Sequence, residues 1–268
     1  TEKGRKTAAE TPAKTRKAAL YATCFVNYNN PGIGEATQAI LAKNGVETEV
    51  VYPSCCGMPQ LEQGDLARVA ENAKKVSAEL VPWIDQGYDI VALVPSCALM
   101  LKFEWPLIVP DDANVKRLSE ATFDATEYIV DMAKKDGLAE GLKKLEGPVS
   151  LHLACHARAQ NMGPKAAEML RLIPDAEIEV IERCSGHGGS WGVMKDNFDV
   201  AIKVGRPAAR KALESGAKYV VSECPLARDH MMQGIEKLDE QNTREKILNM
   251  QHPIQLFAHA YGLIGEHS

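Results

Sequence analysis

Cysteines recur at matching intervals in the two halves of this 268-residue chain, and this repeat constrains its fold most strongly. Three cysteines of the first half correspond to three of the second, namely Cys24, Cys55 and Cys97 to Cys155, Cys184 and Cys224. The offsets between the paired cysteines are 131, 129 and 127 residues. Three landmarks with such similar offsets indicate that one structural unit has been duplicated.

The hydrophobic pattern around the cysteines predicts the same order of elements in both halves. In the first half we predict strands over 18–26, 46–52 and 89–94 and helices over 34–43 and 66–83. In the second half we predict strands over 149–153, around 178–180 and over 218–222, and helices over 164–172 and 199–215. Strands that alternate with helices form parallel sheets, and functional groups gather at the carboxyl ends of such strands. The expected fold is therefore α/β, with two pseudo-symmetric Rossmann-like repeats, mainly parallel sheets and cysteines at the C-terminal ends of the strands.

Three segments follow from this division. Residues 1–17 are rich in Lys and Arg and lack large apolar side chains, which is typical of a flexible linker or tail. Residues 18–142 form the first repeat and residues 143–268 the second, with a glycine-rich boundary near 137–147. Because the chain starts with Thr1 and not with Met, we expect a fragment or a processed form of a longer protein, although a frayed or tag-like terminus explains the first residues equally well.

Charge and hydropathy exclude some classes of partner. The net charge is −5, so no basic face indicates binding to nucleic acid or to anionic lipid. No apolar stretch approaches the roughly 20 residues that a membrane-spanning helix needs. We therefore expect a cytoplasmic protein without a membrane span of its own, so that any association with a membrane would come through a complex.

The cysteines themselves favour a metal centre. A chain of this length folds without disulfides, and its seven cysteines include the adjacent pair Cys55-Cys56. Zinc sites usually contain closely spaced pairs such as C-x2-C, which this sequence lacks. An iron–sulfur cluster contains several iron atoms, so adjacent cysteines can bind different ones, and Gly57 lets the backbone turn close to it. The alternative is that Cys55 and Cys56 are small buried hydrophobic residues.

The local motifs around these cysteines are specific in combination. They are Cys24-Phe-Val-Asn-Tyr-Asn, Cys55-Cys56-Gly57, Pro95-Ser96-Cys97, Cys155-His156, Cys184-Ser-Gly-His and His252-Pro253-Ile254. With these motifs the chain resembles the cysteine-rich CCG-domain proteins, a family of iron–sulfur oxidoreductase components. The family includes the iron–sulfur subunit of anaerobic glycerol-3-phosphate dehydrogenase, the B subunit of heterodisulfide reductase, and parts of lactate- and glycolate-oxidising complexes. The resemblance implies a flavin-containing dehydrogenase subunit and a ferredoxin-like domain or subunit as partners, and a quinone as one candidate acceptor.

The resemblance also implies five cysteines in each repeat: one early, an adjacent pair, and a final C-x-x-C. The first repeat keeps four, and we expect Met100 to occupy the place of the last one. In the second repeat Ser185 replaces one of the pair and Ala227 the last cysteine. These sets imply a [4Fe-4S] cluster on Cys24, Cys55, Cys56 and Cys97. On Cys155, Cys184 and Cys224 they imply either a [3Fe-4S] cluster or a [4Fe-4S] cluster with a non-cysteine ligand.

Further residues are candidates for the surroundings of these clusters. His156 and His187 are the candidates for the fourth ligand of the second site, and the alternative is that each hydrogen-bonds the backbone or a cluster sulfur. Gly57, Gly186 and Asn27 are expected next to the ligands without binding iron. His152 lies in a predicted strand and is expected to be a sheet or surface residue.

Three functions are compatible with these motifs. The first is an iron–sulfur electron-transfer subunit that passes electrons from a dehydrogenase flavin to a quinone or another carrier. The second is a thiol–disulfide reductase similar to heterodisulfide reductase, which needs a cluster iron or thiolate open to substrate. The third is a non-redox scaffold, zinc-bound or metal-free, that tethers partners.

Overall fold

The computed structural model describes residues 12, 13, 15–239 and 247–265. The chain divides into two compact units, one up to Gly141 and one from Leu142 onwards. Residues 1–11 and 14 of the predicted tail lie outside the described residues. The end of that segment is well anchored, because Arg16 pairs with Asp131 and Asp136 and the first strand already begins at Lys17.

The first unit contains a four-stranded sheet in which all neighbouring strands are parallel. Its strands are β1 (Lys17–Tyr21), β2 (Glu47–Val51), β3 (Asp89–Ala92) and β4 (Thr122–Asp124), in the order β2-β1-β3-β4. The central strands β1 and β3 are apolar and almost fully buried, as expected for a sheet covered on both faces. The outer strand β2 is more exposed and carries Glu47 and Glu49, which disfavour pairing with another strand.

Helices connect and follow these strands. They are α1 (Cys24–Asn29), α2 (Pro31–Lys43), α3 (Met58–Glu62), α4 (Leu66–Asp85), α5 (Pro95–Leu99), α6 (Trp105–Ile108), α7 (Ala113–Ala121) and α8 (Ala125–Lys135), with a π-helical turn over Met100–Glu104. The chain leaves β1 towards β2 on one side and returns to β3 on the other. In parallel sheets this reversal opens a crevice at the carboxyl ends of the strands, beside the central strand.

The second unit repeats this plan with three strands. These are β5 (Val149–His152), β6 (Ile178–Ile181) and β7 (Tyr219–Ser222), all parallel and in the order β6-β5-β7. Its helices are α9 (Cys155–Ala159), α10 (Lys165–Leu170), α11 (Phe198–Glu214), α12 (Pro225–Leu238) and α13 (Pro253–Ala260), with a 3-10 turn over Trp191–Val193. Helices α11 and α12 pack closely against each other because small residues, such as Ala209 facing Gly234, line their contact.

The similarity between the units extends beyond the cysteine motifs. In the first unit Asp124 ends β4 and begins α8 with a reciprocal capping box that includes Glu127. In the second unit His252 begins α13 with a capping box that includes Gln255. Residues 247–251 precede this cap and follow the outer side of β7 without forming a regular strand. Two backbone hydrogen bonds join them to it, from Leu248 N to Lys218 O (2.9 Å) and from Ser222 N to Gln251 O (3.1 Å).

The α/β class and the parallel sheets predicted from the sequence are confirmed. The predicted strand over 18–26 was too long, because β1 ends at Tyr21 and Thr23 caps a helix that begins at Cys24. The other predicted strands and helices lie within a few residues of those observed. Strand β4 is short and was not predicted.

Candidate metal centre

The four cysteines of the first unit come together at the carboxyl edge of its sheet. Cys24 begins α1 directly after β1, Cys55 and Cys56 follow β2, and Cys97 lies in α5 after β3. The Cys24 and Cys55 sulfurs are 3.9 Å apart, and the Cys97 sulfur is 3.2 Å from the Cys56 sulfur. Cys56 and Cys97 are buried, whereas Cys24 and Cys55 are half-buried. The predicted convergence of distant cysteines is therefore observed in the first unit.

The thiols of this group hydrogen-bond to one another, and this separates their acidities. Hydrogen bonds from the Cys24 thiol, and then from Cys56, hold the pKa of Cys55 far below the usual thiol value. The same hydrogen bonds, together with burial, raise the pKa of Cys24 and of Cys56. Four thiolates in so small a volume would repel one another, so they require positive charge between them. The donor set thus fits a cationic metal centre.

Three consecutive carbonyl groups of the Cys55-Cys56 loop are each bound by a side chain from a different element. Tyr21 Oη of β1 donates to Ser54 O (2.5 Å). Asn72 Nδ2 of α4 donates to Cys55 O (3.3 Å), and Trp105 Nε1 of α6 donates to Cys56 O (3.1 Å). These bonds satisfy the loop carbonyls and fix the backbone that carries both sulfurs.

Sequence reasoning did not identify these three donors. Tyr21 and Trp105 are fully buried in the structure. The residue types alone indicated that these side chains would donate a hydrogen bond, because a buried Trp or Tyr usually has a hydrogen-bond partner for its polar group. The partner, however, is defined only by the folded chain.

The thiols of the second unit are more open. Cys155 begins α9 after β5 and Cys184 follows β6, and both are exposed. Cys224 lies between β7 and α12. Burial raises the pKa of Cys224 to about 11, the neighbouring Cys155 adds to this rise, and the amide groups of α12 partly offset it. In the described part of the chain, we find no hydrogen bond between the Cys184 sulfur and another cysteine sulfur.

An imidazole lies next to the Cys224 sulfur. His187 Nε2 is 3.9 Å from Cys224 Sγ, and His187 Nδ1 is 2.9 Å from Ser185 Oγ. Burial, with smaller effects from three other histidines, lowers the pKa of His187 to about 4. His187 is therefore neutral at pH 7, which is the form of histidine that binds metals.

Comparison with known protein families matches both halves of the chain to one family. The model of the CCG family, described as a cysteine-rich domain, matches residues 18–102 and 149–226, which is more than half of the chain. The chain belongs to the CCG family. The two matched segments contain all seven cysteines.

Individual relatives of this CCG protein carry informative names. The C subunit of the anaerobic glycerol-3-phosphate dehydrogenase of Escherichia coli (strain K12) is 29% identical over 264 residues, which are 96% of this chain and 62% of the relative. Lactate utilization protein A of Bacillus cytotoxicus is 27% identical and covers 76% of this chain and 85% of the relative. An uncharacterized iron–sulfur protein of Methanocaldococcus jannaschii is 27% identical over 92% of this chain and 48% of the relative. The chain therefore spans only part of the first and third of these proteins.

The structure corrects one pairing between the two CCG repeats. Pro95 and Pro225 both begin the helix that follows the third strand, and they lie 130 residues apart. Cys97 is two residues after the first of these prolines, whereas Cys224 directly precedes the second. The counterpart of Cys224 is therefore Val94, and the counterpart of Cys97 is Ala227. Our expectation that Met100 occupies the place of a missing cysteine was wrong, because regular spacing between cysteines cannot reveal a shift of about one helical turn.

The glycines predicted beside the CCG cysteines contact them through the backbone. Gly57 N donates to Cys55 Sγ (3.4 Å), and Gly186 N donates to Cys184 Sγ (3.3 Å). Both glycines have nearly the same positive φ, 84° and 85°, which other residues rarely adopt. Asn27 is exposed on α1, and its backbone N donates to Thr23 O (3.2 Å).

His152 is a sheet residue, as expected, but it is buried and does not lie at the surface. His152 Nδ1 lies 2.8 Å from Ser222 Oγ, and its Nε2 lies 2.9 Å from Arg183 O. It therefore corresponds to Tyr21, since each is the last residue of a central strand and binds the carbonyl that precedes a cysteine. His156 lies in α9 beside Cys155 and is half-buried.

Two features are absent from the part of the chain that the structure describes. Residues 12, 13, 15–239 and 247–265 contain no group of three or more His, Cys, Asp or Glu side chains arranged to hold a metal ion. Over the same ranges, no helix combines the length and the apolar character that crossing a membrane requires. Iron–sulfur clusters distribute their cysteine ligands over several iron atoms, so their ligand sulfurs do not converge on a single point.

Proposed function

We propose that this CCG protein is an iron–sulfur component that transfers electrons within an oxidoreductase complex. The observation that carries the proposal is the meeting of Cys24, Cys55, Cys56 and Cys97 at the carboxyl edge of one parallel sheet. These cysteines follow three different strands, so folding brings four thiols that are distant in the sequence to one place. The relative from Methanocaldococcus jannaschii, named as an iron–sulfur protein, supports iron as the metal.

The first unit would hold a [4Fe-4S] cluster through these four cysteines. When bound, such a cluster supplies one-electron redox chemistry. The protein orients the ligands through the carbonyl hydrogen bonds of Tyr21 and Trp105, and Gly57 N donates to a ligand sulfur. Burial of Cys56 and Cys97 excludes water from one side of the site. Amide hydrogen bonds to the sulfurs and restricted solvent access are features by which proteins adjust cluster potentials.

The second unit would hold a further cluster through Cys155, Cys184 and Cys224, with a ligand of another kind as the fourth. Cys155 and Cys184 are exposed, so this site opens towards solvent or towards a partner. An open, thiolate-poor site suits exchange of electrons with another molecule. The first site, with its buried sulfurs, suits internal transfer.

The names of the relatives indicate the kind of complex. One is a subunit of an anaerobic glycerol-3-phosphate dehydrogenase, and another is a lactate utilization protein. We therefore propose that a flavin-containing dehydrogenase subunit delivers the electrons, that a ferredoxin-like domain or subunit takes part, and that a quinone or another carrier accepts them. The substrate of the partner is not specified by this chain.

Anaerobic purification with analysis of iron and acid-labile sulfide tests this proposal. We expect bound iron and sulfide in similar amounts and an electron paramagnetic resonance signal that appears on reduction. Cys56→Ala and Cys184→Ala should each remove a different spectral species. A protein that binds neither iron nor sulfide after anaerobic reconstitution would contradict the proposal and would favour a scaffold.

A second candidate function is thiol–disulfide reduction, and the exposure of Cys155 and Cys184 favours it. Disulfide cleavage needs a sulfur or iron that the substrate can reach. Turnover of a disulfide by the purified protein with a chemical reductant would support this function. A reduced-state resonance signal that no thiol or disulfide perturbs would exclude it.

A further inference from the structure

The adjacent pair of the first repeat has a different counterpart in the second repeat. Cys56 and Ser185 occupy equivalent buried positions, each directly before the glycine with positive φ. In the first unit the Cys56 sulfur contacts Cys97. In the second unit residue 185 is a serine. Here His187 contacts Cys224, the cysteine that directly precedes α12. Ser185 binds His187 and has no described contact with Cys224.

The contact between His187 and Cys224 uses different chain positions from the contact between Cys56 and Cys97. The helix-side cysteine lies about one turn earlier in the second repeat, since Cys224 precedes α12 whereas Cys97 lies inside α5. The contacting residue of the loop lies two residues later in the second repeat. It is His187, whereas the position equivalent to Cys56 is Ser185. An imidazole reaches farther from the backbone than a thiol, so the later position brings Nε2 to within 3.9 Å of Cys224 Sγ.

The ring of His187 is held from its other side. Its Nδ1 lies 2.9 Å from Ser185 Oγ, and this leaves Nε2 directed to the sulfur. Metal-binding histidines usually have such a partner on the second nitrogen, and the partner sets the tautomer and the orientation of the ring. Ser185 is 2% exposed, so this hydrogen bond is protected from water.

The backbone around His187 is also fixed. Gly186 packs directly on α11, where an added Cβ would lie only 2.2 Å from Ala201 O and 2.6 Å from Gly205 N. Gly192 N donates to His187 O at 2.7 Å, so the loop closes on itself. A loop restrained at these points presents His187 in one orientation.

We infer that His187 is the fourth ligand of the second metal site, through Nε2, and that Ser185 is its positioning residue. The proposed tautomer has the Nδ1 hydrogen donated to Ser185 Oγ and the Nε2 lone pair directed to iron. This inference rests on the proposed function, because it needs a cluster on Cys155, Cys184 and Cys224. A set of three thiolates and one neutral imidazole carries less negative charge than four thiolates, and it raises the cluster potential.

Pulsed electron paramagnetic resonance of the full chain, reconstituted anaerobically with iron and sulfide and then reduced, tests the ligand. We would compare protein that contains ¹⁵N-labelled histidine with unlabelled protein. The expected result is a hyperfine coupling from a directly bound histidine nitrogen, which changes with the label. His187→Ala should abolish this coupling, and the matched variant His156→Ala should retain it. Absence of the coupling in the unmutated protein, or its loss in His156→Ala alone, would overturn the assignment.

Variants of Ser185 test the positioning role. Ser185→Ala should keep the histidine coupling but change its size and shift the reduction potential of the second site, whereas the potential of the first site stays constant. Ser185→Cys, which restores the adjacent pair, should weaken the histidine coupling because a thiolate competes for the iron. A coupling and a potential that Ser185→Ala leaves unchanged would refute the positioning role.

These outcomes separate the inference from the proposed function. If the protein binds two clusters but no histidine nitrogen is coupled, the ligand assignment fails and the electron-transfer proposal stands. If no cluster forms, both fail. The unmutated protein alone decides between these cases, so the test does not depend on the folding of a variant.

Discussion

The two CCG repeats share a backbone frame and differ in the side chains that complete it. In each, the last residue of the central strand binds the carbonyl group before a cysteine, through Tyr21 in the first repeat and His152 in the second. In each, a glycine with positive φ donates its amide to that cysteine. The shared backbone contacts position the cysteine loop that follows the second strand of each repeat. The side chains in and around that loop determine which metal ligands are present.

The repeats restrain their loops differently. In the first repeat, the side chains of Asn72 and Trp105 bind the loop carbonyls. In the second repeat, the glycines at 186 and 205 let the loop backbone contact α11 directly. The first arrangement buries two of its sulfurs, whereas the second leaves two exposed. After duplication, the cysteines thus remained at the carboxyl ends of the strands, whereas their solvent exposure and the types of ligand side chain came to differ between the repeats.

The largest effect should come from imposing the second repeat's motif on the first. Cys56→Ser creates a Cys-Ser-Gly sequence in a repeat where Met58, and not histidine, follows the glycine. With no imidazole to replace the lost thiolate, we expect the first site to lose its cluster and the iron content to fall by about half. Iron and sulfide analysis measures this, with Ser185→Ala as the matched control that retains iron. Unchanged iron in Cys56→Ser would show that the two repeats do not differ as described.

The two loop glycines should respond unequally to the same substitution. Gly186→Ala places a methyl group within 2.2 Å of Ala201 O, so we expect a loss of about 3–5 kcal/mol in the free energy of unfolding. In Gly57→Ala the nearest atom is 3.6 Å away, and only the positive φ disfavours the change, by about 1–2 kcal/mol. Thermal unfolding under anaerobic conditions compares the two variants. Equal losses would mean that the second loop does not depend on close packing.

Acid should destabilise the second unit more than the first, because burial lowers the pKa of His152, His187 and His252, which all lie in the second unit. Burial lowers the pKa of His252 from 6.5 to about 4. In the unfolded chain this histidine takes up a proton as the pH falls through 6.5, whereas the folded form resists until about pH 4. Its contribution is thus fully present above pH 6.5 and falls by about 3 kcal/mol between pH 6.5 and 4.

Unfolding midpoints at several pH values test this effect against the variant His252→Asn. Asparagine can also cap a helix but does not titrate. The variant should therefore be less stable at neutral pH and should depend less on pH in this range. Parallel curves for the two proteins would rule out His252 as the source.

A smaller effect should follow when one restraint of the first loop is removed. Trp105→Phe leaves the buried carbonyl of Cys56 without its donor, so we expect a loss of about 1–3 kcal/mol and a changed resonance signal from the first site only. Trp83→Phe is the matched control, since Trp83 packs edge-on against Tyr88, away from the loop. A change in the signal of the second site would show that the effect is not local.

Much of this architecture was accessible from the sequence. Apolar strands that alternate with amphipathic helices indicated parallel sheets, and the cysteine spacing indicated two related sites. Strand β4 escaped prediction because only three residues form it. The contact between His187 and Cys224 joins positions 37 residues apart. Local patterns do not encode such contacts, so the proposal of His187 rather than His156 as the ligand depended on the folded structure.

The segment 247–251 has a consequence for how the chain behaves when it is shortened. Its two hydrogen bonds to the outer side of β7 occupy groups that would otherwise be open to another polypeptide. A protein cut before Leu248 would present that side of β7 as a template, and copies could add strands to one another there. The irregular segment thus covers the outer side of β7, as the regular strand β4 covers the outer side of β3 in the first repeat.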